Sequence, residues 1–544
     1  MQILDFVLRT QSEGLQIWGY SISNLESPIS NLLEVPVRIP LDRDSPVPLY
    51  QQIQHFLREQ VQSGALLPET RLPASRDLAH SLGVNRLTVT NAYAELQAEG
   101  LVYSRVGSGT YVAPLPTRLP QAQDEHVAAS DWPVWQQELI QRAWSPARRE
   151  LDQMLASATH PNLISLADGL GDVKLFPVDD FRRALQEVLQ RDSYEALGYG
   201  DRAGYPPLRA TIAHILASQG VPAHPEHVLI TSGSQQATSL VARLLLRPGD
   251  VVLVESPTYS GALDLFRSLE VRILGVPMDE QGMQVEKAEE ILRTAHPRLI
   301  YTIPTFHNPT GTCLSGPRRR QLLALADRYN VPILEDDYVG DLRYDGRVQP
   351  ALKALDPGGR VIYVSTFSKM LMPGLRVGFL LAAGPVYEQL LLYKRVTDLA
   401  TSSLMQRALE AYITVGRYQA HLRRACQVYR RRRDAMLAAI GRYLPAAARC
   451  LPPQGGLFVW LQLPAGLSAN ELYPLALEEG VAFAPGALFF PGERAQPYLR
   501  LTFAMHPPEI IEEGMRRLGR AVERLLARRE KPTAALPQQK GVVI

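Results

Sequence analysis

Between residues 41 and 113, apolar positions repeat first at helical and then at strand spacing. Pro48 leads into a stretch in which Ile53, Phe56, Leu57 and Val61 share one face of a helix that Ser63-Gly64 ends. After the turn LLPETRLPA, Ser75 is expected to cap a second helix through Leu82, and Gly83 permits a tight turn. A third helix directs Val89, Ala92, Tyr93 and Leu96 inward and stops at Gly100. LVYSRV and TYVA then flank Gly107-Ser108-Gly109, the pattern of a hairpin with a glycine-permissive tip. The order predicts a helix-turn-helix followed by a two-stranded wing.

Residues 1–36 carry no such pattern; they form an uncertain N-terminal extension, without the basic start, apolar block and cleavage site of a signal peptide. Residues 114–150, with PLPTRLPQAQDEHVAAS, shift to Pro, Gln and small polar residues and read as a linker. From 151 to 527, helical stretches alternate with the short apolar runs VLIT, VVLVE, LIYTIP, VPILED and RVIYVS. Alternation of this kind predicts an α/β main domain on a mostly parallel sheet, with the small winged helix-turn-helix domain N-terminal to it. Residues 528–544 read as a disordered tail.

Composition narrows the class. A chain of 544 residues exceeds the ~150 of a common domain several times over, as two units require. Hydrophobic residues at 46% and charged residues at 21% exclude a disordered or fibrous protein. The 57 Lys+Arg and 55 Asp+Glu leave a net charge of +2, so any hold on nucleic acid must come from a local arrangement. No apolar run reaches the ~18 residues of a membrane span. Cys313, Cys426 and Cys450 form no CxxC pair, which argues against a disulfide framework or metal knuckle and for a cytoplasmic location.

Only seven lysines occur, and Lys369 stands out in STFSKMLMPGLRVGF, just past an apolar strand. A lysine there, flanked by hydroxyls, suits an internal Schiff base with pyridoxal phosphate, with Thr366, Ser368 and Arg376 to hold the phosphate. VPILEDDYVG supplies Asp336 at a strand end for the pyridine nitrogen. Asn308, in HNPTG, and Tyr338 are candidate donors to the phenolic oxygen. TSGSQQA brings Ser234 and Gln235 to a strand-to-helix junction where phosphate can sit, and Tyr259 can stack on the ring. Arg500, in YLRLTFA, can clamp a ligand carboxylate with a two-pronged hydrogen bond. Each signal alone is common; their joint order is not.

On the N-terminal unit, the start of the third helix presents Asn85, Arg86, Leu87, Thr88 and Thr90 for a DNA groove. Arg86 can fork onto a guanine edge, Arg76 can grip a phosphate, and the backbone at Gly107 can approach the sugar-phosphate rail. Six arginines against seven carboxylates over residues 41–113 leave a protein-contact role as the alternative.

PLYQQI, LPASRDLAHSLGVNRLTV and AYAELQAEGLVYSRVGSGTYV resemble the GntR family of bacterial regulators over about 70 residues. The resemblance implies DNA contacts by Arg76, Arg86 and Gly107. The segment from about 163 to 526 resembles the fold-type I aminotransferases, which implies the cofactor roles just given. In that family a tyrosine at the position of Tyr199, in YGDRAGYPPLR, can reach the neighbouring subunit's phosphate, which implies a homodimer with shared sites. Joined by the linker, the halves resemble the MocR/GabR-type transcriptional regulators. That resemblance implies a dimer, typically swapped head to tail, which reads paired half-sites of a double-stranded promoter operator and responds to an amino-acid or amine effector at the Schiff base. Arg500 favours a carboxylate on the effector, as in γ-aminobutyrate; vitamers, taurine and dipeptides stay open. The rival expectation is a working aminotransferase that carries a DNA-binding domain. Arg417, Arg423, Arg424 and Arg430 to Arg433 put seven charges in one helical stretch, either a DNA-wrapping surface or, preferably, a solvated helix face pairing with nearby acids.

Overall fold

The computed structural model describes residues 39–113 and 162–530, except 44, 64, 106, 107 and 493–495, together with residues 133 and 135. The chain divides into two compact units between Arg142 and Ala143. The 1–36 extension, nearly all of the 114–150 linker and residues 531–544 lie outside the described residues. No described helix is long and apolar enough to cross a membrane.

The N-terminal unit contains α1 (Leu49–Gln62), α2 (Ser75–Leu82), α3 (Arg86–Ala98) and the antiparallel pair β1 (Val102–Arg105) and β2 (Gly109–Val112). Its core joins Ile53, Leu57 and Val61 of α1 to Val89, Ala92, Tyr93 and Leu96 of α3, the periodic positions of the sequence. The turn between α2 and α3 needs Gly83, whose φ of +64° lies in the left-handed region, and Arg43 secures it by donating to the Gly83 carbonyl at 2.9 Å. Ser75 does not cap α2. It is the first helical residue, Ala74 takes the cap position, and the Ser75 hydroxyl faces Arg86 Nε at 3.4 Å instead.

The second unit is built on an eight-stranded sheet. Its order is Val228–Thr231, Gly378–Leu381, Val361–Thr366, Ile333–Asp337, Leu299–Thr302, Val251–Ser256, Arg272–Asp279 and Gly282–Met283. Gly378–Leu381 runs against both neighbours, and Gly282–Met283 is a hairpin arm; the remaining neighbours are parallel. The apolar runs are continuous rather than alternating because both faces are covered: VLIT and VIYVST are buried at every position. A smaller antiparallel sheet, which the sequence did not announce, pairs Phe458–Gln462 with Tyr498–Thr502 and sets Trp460 opposite Arg500.

Two expectations change. The final helix, Pro508–Glu530, continues three residues past 527. The arginine-rich stretch is one helix, Arg417–Tyr443, and it does not present seven charges to solvent. Arg432 is buried against Asp172 at 2.5 Å and the Ala504 carbonyl. Arg433 is buried against Asp345 and Asp434, Arg430 lies 3.0 Å from Asp345, and Arg417 lies 3.9 Å from Asp180. Pairing with acids therefore holds for these four, but the solvated face is corrected at Arg432 and Arg433, which are buried.

Arg319 fixes the loop that carries Asn308. It is wholly buried and donates to the carbonyls of Leu314, Pro304 and Pro350 at 2.9, 2.6 and 3.0 Å and to Thr305 Oγ1 at 3.0 Å. Arg319→Met removes the guanidinium donors to the Leu314 and Pro350 carbonyls and Thr305 Oγ1 and the buried cation 4.0 Å from Glu335, so it should destabilise the unit by about 3 kcal/mol in denaturant unfolding.

Candidate functional site

Parallel strands deliver their following loops to one edge, and the sequence-predicted residues lie on those loops. Lys369 follows Val361–Thr366, Asp336 sits near the end of Ile333–Asp337, and Asn308 follows Leu299–Thr302. Ser234 and Tyr259 follow Val228–Thr231 and Val251–Ser256 in the same way. Arg500 enters from the smaller sheet. Ser234, Tyr259, Asn308, Asp336, Tyr338, Lys369 and Arg500 line one cavity of about 220 Å³. Ligands of open parallel sheets bind at this edge because helix N-termini and loop side chains converge there.

Lys369 Nζ donates to the Gly169 carbonyl at 2.9 Å. Burial, together with the charges of Arg500 and Arg376, holds its pKa below the ordinary lysine range, which favours the neutral, nucleophilic amine. Asp336 is buried; Tyr301 donates to its Oδ2 at 2.9 Å, while Oδ1 has no partner. Burial pushes its carboxyl up to about 7.

Arg500 lies over the rings of Phe458 and Phe489, at 4.1 and 4.8 Å. Its Nη1 donates to Asn308 Oδ1 at 3.0 Å and Nη2 to the Ala167 carbonyl at 2.7 Å, while Nε has no partner. Burial lowers its pKa to about 10, so it stays charged at neutral pH. With Oδ1 of Asn308 occupied, the side-chain NH2 is the donor left for a ligand.

Five predicted residues do not line the cavity. Arg376 and the Ser232-Gly233 turn form a cup at the start of the Ser234–Leu245 helix, where Arg376 Nη2 donates to the Ser232 carbonyl at 2.8 Å. Gly233 has φ +110°, and a Cβ there would come within 3.2 Å of that guanidinium. Thr366 is engaged with its own turn, accepting from Ser368 N–H at 3.1 Å, and the buried Ser368 hydroxyl has no partner. The Gln235 side chain is exposed and donates to the Gly261 carbonyl at 3.1 Å, while Gln236, one residue of helical rotation on, turns inward. Tyr199 is 91% exposed. Within the cavity, the Tyr338 hydroxyl already donates to the Phe306 carbonyl at 3.1 Å. Sequence reasoning missed Tyr301, Gly169 and Phe458; a tyrosine inside an apolar strand, in LIYTIP, was the one available signal.

In the N-terminal unit, Arg76, Asn85, Arg86, Leu87 and Thr90 are exposed and Thr88 is half-buried. Asn85 is partly committed, since its Oδ1 caps α3 by accepting from Leu87 N–H at 2.9 Å. Gly107 lies outside the described residues. Arg71 was missed: its guanidinium lies against Gly109 of the wing, within 3.0 Å of where a Cβ would stand.

The unpartnered Asp336 Oδ1, Ser368 Oγ and Arg500 Nε and the cup under Arg376 fit pyridoxal phosphate, which offers a protonated ring nitrogen and an anionic phosphate. Without that ring nitrogen, Asp336 favours its protonated form. The folded protein then holds a proton that the unfolded chain releases, so this group's contribution to stability is lost as pH rises from about 4 to about 7. Cofactor-free Asp336→Asn should therefore gain on the cofactor-free wild type over that range in denaturant titrations.

Residues 162–518 match the family described as aminotransferase class I and II, and residues 49–112 match the bacterial regulatory proteins of the gntR family. The chain is 33% identical to the uncharacterized HTH-type transcriptional regulator YdfD of Bacillus subtilis (strain 168), over 89% of this chain and 98% of that protein. It is also 33% identical to the probable rhizopine catabolism regulatory protein MocR of Rhizobium meliloti, over 88% of this chain and 95% of that protein. LysN, the alpha-aminoadipate aminotransferase of Thermus thermophilus, solved with N-(5'-phosphopyridoxyl)-L-leucine, matches with a TM-score of 0.66 at 39% identity, covering 72% of this chain and 97% of that one. Pyridoxal phosphate is the cofactor of the second unit. With a gntR-family DNA-binding unit ahead of an aminotransferase fold, and relatives matched almost end to end, the chain belongs to the MocR-type transcriptional regulators.

Proposed function

We propose that this regulator reads the concentration of an amino acid or amine and converts it into a change in its hold on a promoter. When bound, pyridoxal phosphate would supply an electrophilic carbon for Lys369 to hold and for an incoming amine to take over. Asp336 keeps a proton on the ring nitrogen, Tyr259 covers the ring, Asn308 and Tyr338 orient it, and Ser234, Ser368, Thr366 and Arg376 serve the phosphate. Released, Lys369 Nζ has a resting partner in the Gly169 carbonyl, 2.9 Å away. Arg500 carries the reading: a charged, buried guanidinium with an unpartnered Nε–H shares the cavity with Lys369, which suits an effector bearing a carboxylate.

The regulator acts as a cytoplasmic homodimer, with Tyr199 of each subunit serving the other's phosphate and two winged units reading paired half-sites. The effector shifts the dimer only if it binds one arrangement more tightly than the other. Arg76 grips a backbone phosphate; Arg86, Leu87, Thr88 and Thr90 face base edges, with Asn85 setting the start of their helix.

Absorbance spectra test the sensing half. The wild-type protein should show a visible cofactor band that Lys369→Ala loses and that one class of carboxylate-bearing amine alters without sustained keto-acid production. Repeated turnover in the keto-acid assay would instead establish the aminotransferase reading, and an unchanged band across a broad amine panel would reject sensing at this site.

DNA titrations over a range of salt test the other half. Arg86→Ala should cost about 1–3 kcal/mol and relax discrimination at one base pair, whereas Arg76→Ala should weaken all sequences alike and reduce the salt slope by about 1.

A further inference from the structure

Behind the phosphate cup lies an ion pair, its lysine buried and its carboxylate half-buried, that the roles above do not use. Lys394, in the last turn of the Pro385–Asp398 helix, has no exposed surface. Its Nζ donates to the two carboxylate oxygens of Asp398 at 2.8 and 2.9 Å and to Thr401 Oγ1 at 3.0 Å. An ammonium taken wholly out of water persists only with partners of this kind.

Gln236 connects that pair to the cup. Its Nε2 donates to Asp398 Oδ2 at 2.7 Å, and its Oε1 accepts from the Ser232 N–H at 2.7 Å. Ser232 Oγ stands 3.5 Å from the same Asp398 oxygen. Rotating the amide by half a turn would set a donor against an N–H and an oxygen against a carboxylate, so one orientation is enforced. The Ser232 residue held in this way aims its carbonyl at Arg376, which donates to it at 2.8 Å, and leads directly into Gly233 and the first amides of the Ser234–Leu245 helix.

Electrostatics explains why the brace ends on a lysine. A bare carboxylate two residues' reach from an anion site would repel phosphate; Lys394 cancels the charge of Asp398 while leaving its oxygens able to accept from Gln236. A neutral brace alone could fix the turn, but only the paired carboxylate offers Gln236 and Lys394 acceptors at the same time.

We propose that Gln236, Asp398 and Lys394 are positioning residues for the cofactor phosphate, acting through Ser232 and Arg376 and touching no cofactor atom. The inference rests on reading the adjoining cavity as the pyridoxal phosphate site.

The test uses the full-length protein stripped of cofactor and titrated with pyridoxal phosphate and, separately, with pyridoxal, which has the same ring and aldehyde but no phosphate. Gln236→Met and Asp398→Asn should each weaken pyridoxal phosphate binding about tenfold, as the loss of an outer-shell partner does at metal sites, and leave pyridoxal binding unchanged. Lys394→Met, which strips the carboxylate of its counter-charge, should weaken pyridoxal phosphate further than Lys394→Met combined with Asp398→Asn. Thermal unfolding of each variant identifies any that fails to fold; Gln236→Met, at a half-buried neutral site, keeps the test available if the charge variants do. Unchanged pyridoxal phosphate affinity in the folded variants, or equal losses for the two ligands, overturns the proposal. A wild-type protein that binds both ligands alike would overturn the reading of the cup itself, and the brace would fall with it.

Discussion

Arg500 is the constraint on which the cavity depends. Its guanidinium joins Asn308 and the Ala167 carbonyl, groups 192 and 333 residues away in the chain, from a strand of a second sheet. A cation buried this deeply needs directed acceptors, so the three segments close on it with the spacing its planar fork dictates. What remains is Nε–H without a protein partner and a second N–H on each of Nη1 and Nη2, beside two aromatic faces. The same interaction thus closes the wall of the cavity and leaves donors for a guest.

Charge in the cavity is arranged by burial as much as by contact. Lys369, Arg376 and Arg500 bring positive charge to a region where Asp336 is the fully buried acid at the ring-nitrogen end. That balance suits a ligand with two anionic ends, a phosphate at the cup and a carboxylate at Arg500, and one cationic nitrogen at Asp336. It also explains why Lys369 can be a nucleophile: the cations that receive the anions disfavour its own protonation.

Arginine serves opposite purposes in the two units. In the second unit Arg319, Arg432, Arg433 and Arg500 are buried and join distant carbonyls and carboxylates, replacing apolar packing with directed hydrogen bonds. In the N-terminal unit Arg76 and Arg86 stay exposed at the ends of α2 and α3, beside a turn that Arg43 holds through the Gly83 carbonyl. Composition reports only the sum of these roles, which is why a nearly neutral chain contains a DNA-binding unit and an anion site.

The sequence by itself determined the order of elements, the two units and most of the cavity. Periodicity alone placed Val89, Ala92, Tyr93 and Leu96 inward, and continuous apolar runs identified strands covered on both faces, because backbone geometry repeats locally. Seven of the twelve cofactor and effector residues reached one cavity: six lie near the end of, or just past, strands of the main sheet, whose parallel members bring those positions to a common edge, and Arg500 arrives from mid-strand in the smaller sheet. Tertiary structure decided the rest. That Gln236 rather than Gln235 turns inward depends on the phase of one helix against its sheet, and that Tyr301 supports Asp336 depends on which strands are neighbours. The fate of the arginine-rich helix was equally illegible, since Asp172 and Asp345 lie 260 and 88 residues from their partners. Local spacing encodes which way a residue points along its own element, whereas a partner brought from hundreds of residues away exists only once the chain has packed.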